Sequence, residues 1–266
     1  MMEHKRKFFP ALLAFAICAG GVLATGGVFM PDGTPAPARA WAAEGDYVVK
    51  AGKVYRAVKG EMKPLEGVAP QRADTDAGPW AWIVTDPEAP GMEGSESGIH
   101  FFRGEEGKPA GFLPVEGAAD FCRAAFSPSG EKLLLSWGGL PIKHLDLYFI
   151  DKDKGFVKKA SFDTLGPPVW VDAHRFAFGA VDRDKGPRAE GRFDLWWSSI
   201  MLHDSATGET AAVREADATK DYDVAGYDPE AGALNVTETF VKEAQDWEDE
   251  DEIDSREIAV PIPAAR

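Results

Sequence analysis

Two kinds of hairpin alternate along this chain, and their alternation constrains the fold more than any single motif. The first kind is clearest in AAFSPSGEKLLLS (residues 124–136), where a short strand, a Ser-Pro-Ser-Gly turn and a run of leucines follow one another. The plan recurs in degenerate form in QRADTDAGPWAWIVTD (71–86), PVWVDAHRFAFGA (168–180) and AGYDPEAGALNVTE (225–238). The second kind is interleaved with it: GKVYRAVKGEMKPLEG, GIHFFRGEEGKPAGFLPVEG, LDLYFIDKDKGFVKKASF and SSIMLHDSATGETAAV. Each of these places an apolar strand before a polar glycine turn and a weaker strand. SREIAVPIPA, near the C-terminus, supplies one more strand of this second kind. No window sustains a helical period, and short or alternating apolar runs punctuated by Gly, Pro and Asp are a β pattern. A unit of four antiparallel strands, A to D, recurring about every 45 residues is the signature of a propeller blade. The expectation is therefore all-β: a β-propeller of four-stranded blades, five in number, with four as the alternative count. Its N-terminal strands around residues 47–58 are expected to meet the C-terminal strands and close the ring, because an open ring exposes unpaired sheet edges.

Phe126-Ser127-Pro128-Ser129-Gly130, the KLLLS that follows, and LDLYFID with its glycine turn resemble the WD40-like repeat of the TolB type. The match is good over residues 126–162. In the other units it is confined to the hairpin plan, with Asp172-Ala173 or Asp228-Pro229 in place of the turn, and Ser129 stands where the family has Asp. As architecture the resemblance covers residues 46–262. It implies an exported propeller that binds other proteins, and the α/β domain that precedes the propeller in TolB has no counterpart here.

The N-terminal residues read as a targeting segment. Lys5, Arg6 and Lys7 form a basic region, and residues 8–29 form an apolar one ahead of a Pro-rich stretch and Ala40-Trp41-Ala42. Small residues at the two positions a signal peptidase inspects place cleavage before Ala43, with Ala38-Arg39-Ala40 as the alternative site. An uncleaved anchor is the competing reading, since the apolar run is long enough to span a bilayer. Cys18 follows Ile17, where lipidation needs a small residue, so a lipoprotein is rejected. The expected organisation is a signal and processing region at 1–42 and one propeller domain at 43–266, periplasmic or secreted. No stable membrane insertion is expected after cleavage.

Charge narrows the partners. The formal net charge is −15, and losing residues 1–42 removes four cations and two acids, which makes the remainder more acidic still. Such a chain repels nucleic acid and anionic membranes and favours cationic partners. After cleavage Cys122 is the lone thiol, so no internal disulfide is expected and a monomer must be held by packing. It reads as a small buried strand residue, since no partner base accompanies it.

Motifs for catalysis are scarce. Residues 94–98 read G-S-E-S-G, with Glu where a nucleophile elbow needs Ser, and neither H-E-x-x-H nor a phosphate loop occurs. His100, His144, His174 and His203 are scattered and read as packing or surface residues. Asp151-Lys-Asp153-Lys-Gly155 and Asp182-Arg-Asp184-Lys-Gly186 have the opening spacing of a calcium loop but lack its third and last ligands, so they read as turns. No catalytic residue, metal or cofactor is assigned.

Loop length carries the functional signal. The A–B turns are short, whereas the B–C connections at 86–97, 137–144, 182–194 and 241–256 are long. Alternating strand direction brings the B–C and blade-to-blade loops to one end, and elaborated loops on a rigid scaffold are where binding resides. The last loop holds seven acids, Asp246, Glu248, Asp249, Glu250, Asp251, Glu252 and Asp254, around Trp247. It reads either as a solvated spacer or as an acidic arm with an aromatic anchor for a Lys/Arg-rich surface. Most tryptophans are assigned to packing; Trp137 and Trp247, expected in loops, join the acids as candidate partner-binding residues. The leading expectation is a non-catalytic propeller that binds a protein partner with a basic surface. The alternative is a carbohydrate-binding or glycoside-processing propeller, using carboxylates and Trp on the same face.

Overall fold

The computed structural model describes residues 47–58, 61–115, 122–138, 142–182, 197–243, 247 and 252–264. Within them the chain is all-β and antiparallel, and strands follow one another as meanders. β1 (Tyr47–Lys50), β2 (Lys53–Val58) and β3 (Glu61–Pro64) form a first sheet. β4 (Gln71–Ala73), β5 (Trp80–Thr85), β6 (Gly98–Arg103) and β7 (Lys108–Pro114) form a second. β8 (Arg123–Phe126), β9 (Lys132–Trp137), β10 (Lys143–Asp151) and β11 (Gly155–Thr164) make a third meander. A fourth comprises β12 (Val169–Trp170), β13 (Arg175–Asp182), β14 (Trp197–Asp204) and β15 (Thr210–Arg214). These two meanders are joined into one eight-stranded sheet by the residue pair Thr164 and Ala180. β16 (Lys220–Asp228), β17 (Ala233–Phe240) and β18 (Asp254–Pro261) close the series. Both hairpin types expected from the sequence form at their expected residues, and SREIAVPIPA supplies β18.

The leucine run shows why a strand here need not alternate. Leu133 and Leu135 pack with Trp80, Phe101 and Phe126 toward the second meander, while Leu134 packs with Phe176 and Phe178 toward the fourth. All three leucines are fully buried. A strand covered on both faces reads as a continuous apolar run, and each such leucine contributes about 1.5–3 kcal/mol relative to exposure. Four apolar clusters repeat this arrangement between the first and second, second and third, third and fourth, and fourth and fifth meanders.

Turns reinforce the stacking. In the Ser-Pro-Ser-Gly turn the Gly130 N–H donates to the Ser127 carbonyl at 2.8 Å, and the Ser127 hydroxyl accepts from the Lys132 N–H. Gly130 has φ 70°, and a Cβ there would meet Thr75 Oγ1 at 2.4 Å, so glycine is required both by conformation and by the neighbouring turn. The Asp76 N–H crosses that contact to the Pro128 carbonyl at 2.8 Å.

The terminal strands pair with their chain neighbours. β1 pairs with β2 and β18 pairs with β17, and among the described residues no ladder joins the first sheet to the last. Tyr47 and Val49 of β1 are instead spent against Ala81, Ile83 and Phe102 of the second sheet. Among the described residues no helix is long and apolar enough to cross a membrane.

Candidate functional site

Within each of these meanders the start of the first strand (β4, β8, β12, β16) lies at the same end as the finish of the second (β5, β9, β13, β17), from which the B–C connection leaves. Trp137 is not in a loop: it is the last residue of β9 and half-buried. Its indole N–H donates to Asp146 Oδ2 at 2.9 Å, and its ring lies 4.7 Å from that of His144. Asp146, 3% exposed, also accepts from the Ser161 hydroxyl and pairs with Lys158 at 2.8 Å. This network is satisfied, and it ties β9, β10 and β11 together.

Trp247 departs further from the expectation. Its side chain is 3% exposed, packs edge-on against Trp197 with ring centroids 4.7 Å apart, and donates its indole N–H to the Ala218 carbonyl at 2.9 Å. A residue so placed belongs to the core between the fourth and fifth meanders, and it does not present an anchor at the surface. A buried indole needs a partner for its N–H, and the turn before β16 provides the carbonyl. Of the acids in this loop, Glu252 pairs with Lys242 at 3.6 Å, and Asp254 opens β18 as an exposed residue opposite Phe240. Asp246, Glu248, Asp249, Glu250 and Asp251 lie outside the described residues. Trp137 belongs to the third meander and does not join this group.

Two carboxylates missed in the sequence stand beside it. Asp221 and Asp223 alternate along β16 with Tyr222 and Val224, which fill the core. Asp221 Oδ1 accepts the Ser198 N–H at 2.6 Å. Burial pushes its pKa up to about 6, against the pull of the Ser198 and Tyr222 N–H groups, and the neighbouring Asp223 charge adds to the rise. Asp223 is raised by desolvation too, although its side chain keeps solvent contact. Among the described residues no cation offsets either group.

Glu238 makes the contrast. It is fully buried on β17, yet Arg256 meets it at 2.6 Å and Arg214 at 3.6 Å, while Arg214 Nε also donates to the Tyr222 hydroxyl. A paired buried carboxylate is structural by default; an unpaired one with a raised pKa at a loop-bearing end is a functional candidate.

The remaining candidates are accounted for locally. Cys122 is 7% exposed and burial pushes its thiol up to about 12, which leaves it unreactive. Asp151 Oδ1 accepts the N–H groups of Asp153 and Lys154, a side-chain turn capping the β10–β11 hairpin. The Asp184 to Gly186 half of the second such sequence lies outside the described residues. Among the described residues no group of three or more His, Cys, Asp or Glu side chains is placed to hold a metal ion.

No family model matches the chain, and no curated protein matches it either. Among solved structures it is distantly similar to one described as the crystal structure of the eukaryotic initiation factor, at 11% identity and a TM-score of 0.32. That match covers 82% of this chain, which spans 65% of the length of the other.

Proposed function

We propose that the chain is an exported, non-catalytic β-propeller with TolB-like repeats, built of five blades, that binds a basic surface on a partner protein through its loop-bearing end. Five successive meanders, stacked through apolar clusters in chain order, support the blade count. The observation that carries the binding proposal is the uncompensated acid at that end of the fifth meander. Among the described residues Asp221 and Asp223 have no cation beside them, and the sequence adds seven acids between 246 and 254, just before and at the start of β18. Lysine or arginine side chains from a partner would relieve both the desolvation and the mutual repulsion. The carbohydrate reading is weaker, because Trp197 and Trp247 are each 3% exposed and offer no ring face to a sugar.

A pull-down from envelope extract at low and high salt tests the proposal. Wild type should retain a basic protein at low salt, and Asp221→Asn/Asp223→Asn combined with neutral replacements at 249–252 should not. Equal capture by both proteins would overturn the acidic-face reading.

A further inference from the structure

At the opposite end of the meanders, where the short A–B turns lie, a buried lysine reaches between the third and fourth. Lys132 on β9 is only 5% exposed. Its Nζ donates to the Ala173 carbonyl at 2.7 Å and lies 2.9 Å from His174 Nδ1. The Phe149 ring covers the ammonium at 5.4 Å. Both acceptors belong to the turn between β12 and β13, which is a junction for three parts of the chain. The His174 carbonyl accepts from the Ser205 N–H and hydroxyl in the β14–β15 turn. Arg175 donates to the Pro263 carbonyl near the C-terminus and to Asp172.

The Lys132–His174 contact can hold one proton between its nitrogens but not two. With Lys132 charged, His174 Nδ1 must be an unprotonated acceptor. A proton taken from solvent at His174 Nδ1 leaves two cationic donors facing each other at 2.9 Å. Burial already disfavours the Lys132 charge, against the opposing pull of Glu131, Asp172 and Asp204. Those carboxylates face the pair from the β8–β9 turn, the His174 turn and the end of β14. Lys159, on β11, lies on the Phe149 ring at 5.5 Å and adds a further cation. His174 is itself exposed, so solvent protons reach it freely.

We propose that Lys132 and His174 form an acid-released latch that clamps the third and fourth meanders and opens when the pair takes up a second proton. Imidazole is the side chain whose charge changes in the mildly acidic range. Opening frees the 171–175 turn, and with it the attachments to Ser205 and Pro263.

Hydrogen exchange on the full chain at pH 7 and pH 5, corrected for intrinsic chemical rates, tests the latch at residues 171–175. These amides are held by the bonds from Val171 and Asp172 to the Arg175 carbonyl and from His174 and Arg175 to Asp172. In wild type, corrected exchange should be about tenfold faster at pH 5, the size expected for losing one or two hydrogen bonds. His174→Gln keeps an acceptor that never takes a proton, and its protection should not change between the two pH values. Lys132→Met should exchange fast at both. If wild type stays protected at pH 5, or if His174→Gln loses protection as wild type does, the latch is refuted. Because His174 is exposed, the glutamine variant folds and decides the matter even if Lys132→Met does not.

Discussion

Trp247 and Trp197 meet edge-on, 4.7 Å between ring centroids at an interplanar angle of 74°, with both rings removed from solvent. The contact joins the long loop before β18 to the first residue of β14, so a residue from the most acidic segment of the chain is part of its core. Trp247→Ala should accordingly cost about 3–5 kcal/mol of stability, as for other buried aromatic truncations. Thermal melting measures it; a variant that melts with wild type would return Trp247 to the surface.

The hairpins were legible because each carries its own punctuation: a Gly, Pro or Asp turn flanked by apolar residues at strand spacing. The role of Trp247 was not, because the acids on either side of it swamp a single apolar residue in any window. Asp221 and Asp223 were hidden for a different reason. Polar residues alternating with Tyr222 and Val224 read as a solvent face, and only the Ser198 N–H arriving from β14 reveals the desolvation. Ring closure rests in the sequence on edge cost alone, and the described ladders pair β1 with β2 and β18 with β17.

Asp221 yields a stability prediction with a definite sign. Its folded pKa of about 6 lies above the ordinary aspartate value of 3.8, so its neutral form is favoured by folding. That contribution is fully present below pH 3.8 and is lost as pH rises through 6. Asp221→Asn should therefore stabilise the protein at pH 8, by roughly 2 kcal/mol, and change little at pH 4. Denaturant titrations at both pH values measure the difference. A destabilised Asn variant at pH 8 would mean that the carboxylate is compensated.

His100 works in the opposite sense. It is 8% exposed between Tyr47 and Phe112, and burial lowers its pKa from 6.5 to about 4. The neutral ring's contribution is present above pH 6.5 and is lost as pH falls toward 4, when the unfolded chain takes the proton first. Between pH 7 and 4 this amounts to roughly 2–3 kcal/mol. His203 is lowered by burial in the same direction. His100→Phe should flatten the acid limb of the stability profile, whatever it does to stability at pH 7, and an unchanged slope would contradict the burial.

Processing is checked by mass. A basic region, an apolar run and Ala40-Trp41-Ala42 predict a native protein that begins at or near Ala43 and is recovered in the exported fraction. Intact-mass measurement on native material decides between this and a full-length, membrane-bound species, which would establish the anchor reading instead.

The acidic arm has the most direct consequence for binding. With Trp247 turned into the core, its acids act through charge alone, and exposed charges act mainly on the rate of encounter, screened over roughly 8 Å at physiological salt. Replacing Asp249, Glu250, Asp251 and Glu252 by Asn and Gln should slow association with a basic partner at low salt, and should flatten the salt dependence of that rate. The melting temperature should hardly move, since Glu252, the one of the four that lies among the described residues, makes an exposed pair with Lys242. Asp221→Asn/Asp223→Asn should act on the dissociation rate instead, because desolvated carboxylates engage only after contact. Stopped-flow or surface-based kinetics at two salt concentrations separate the effects. If the arm variant associates as fast as wild type at low salt, the arm is a solvated spacer, and recognition rests on β16.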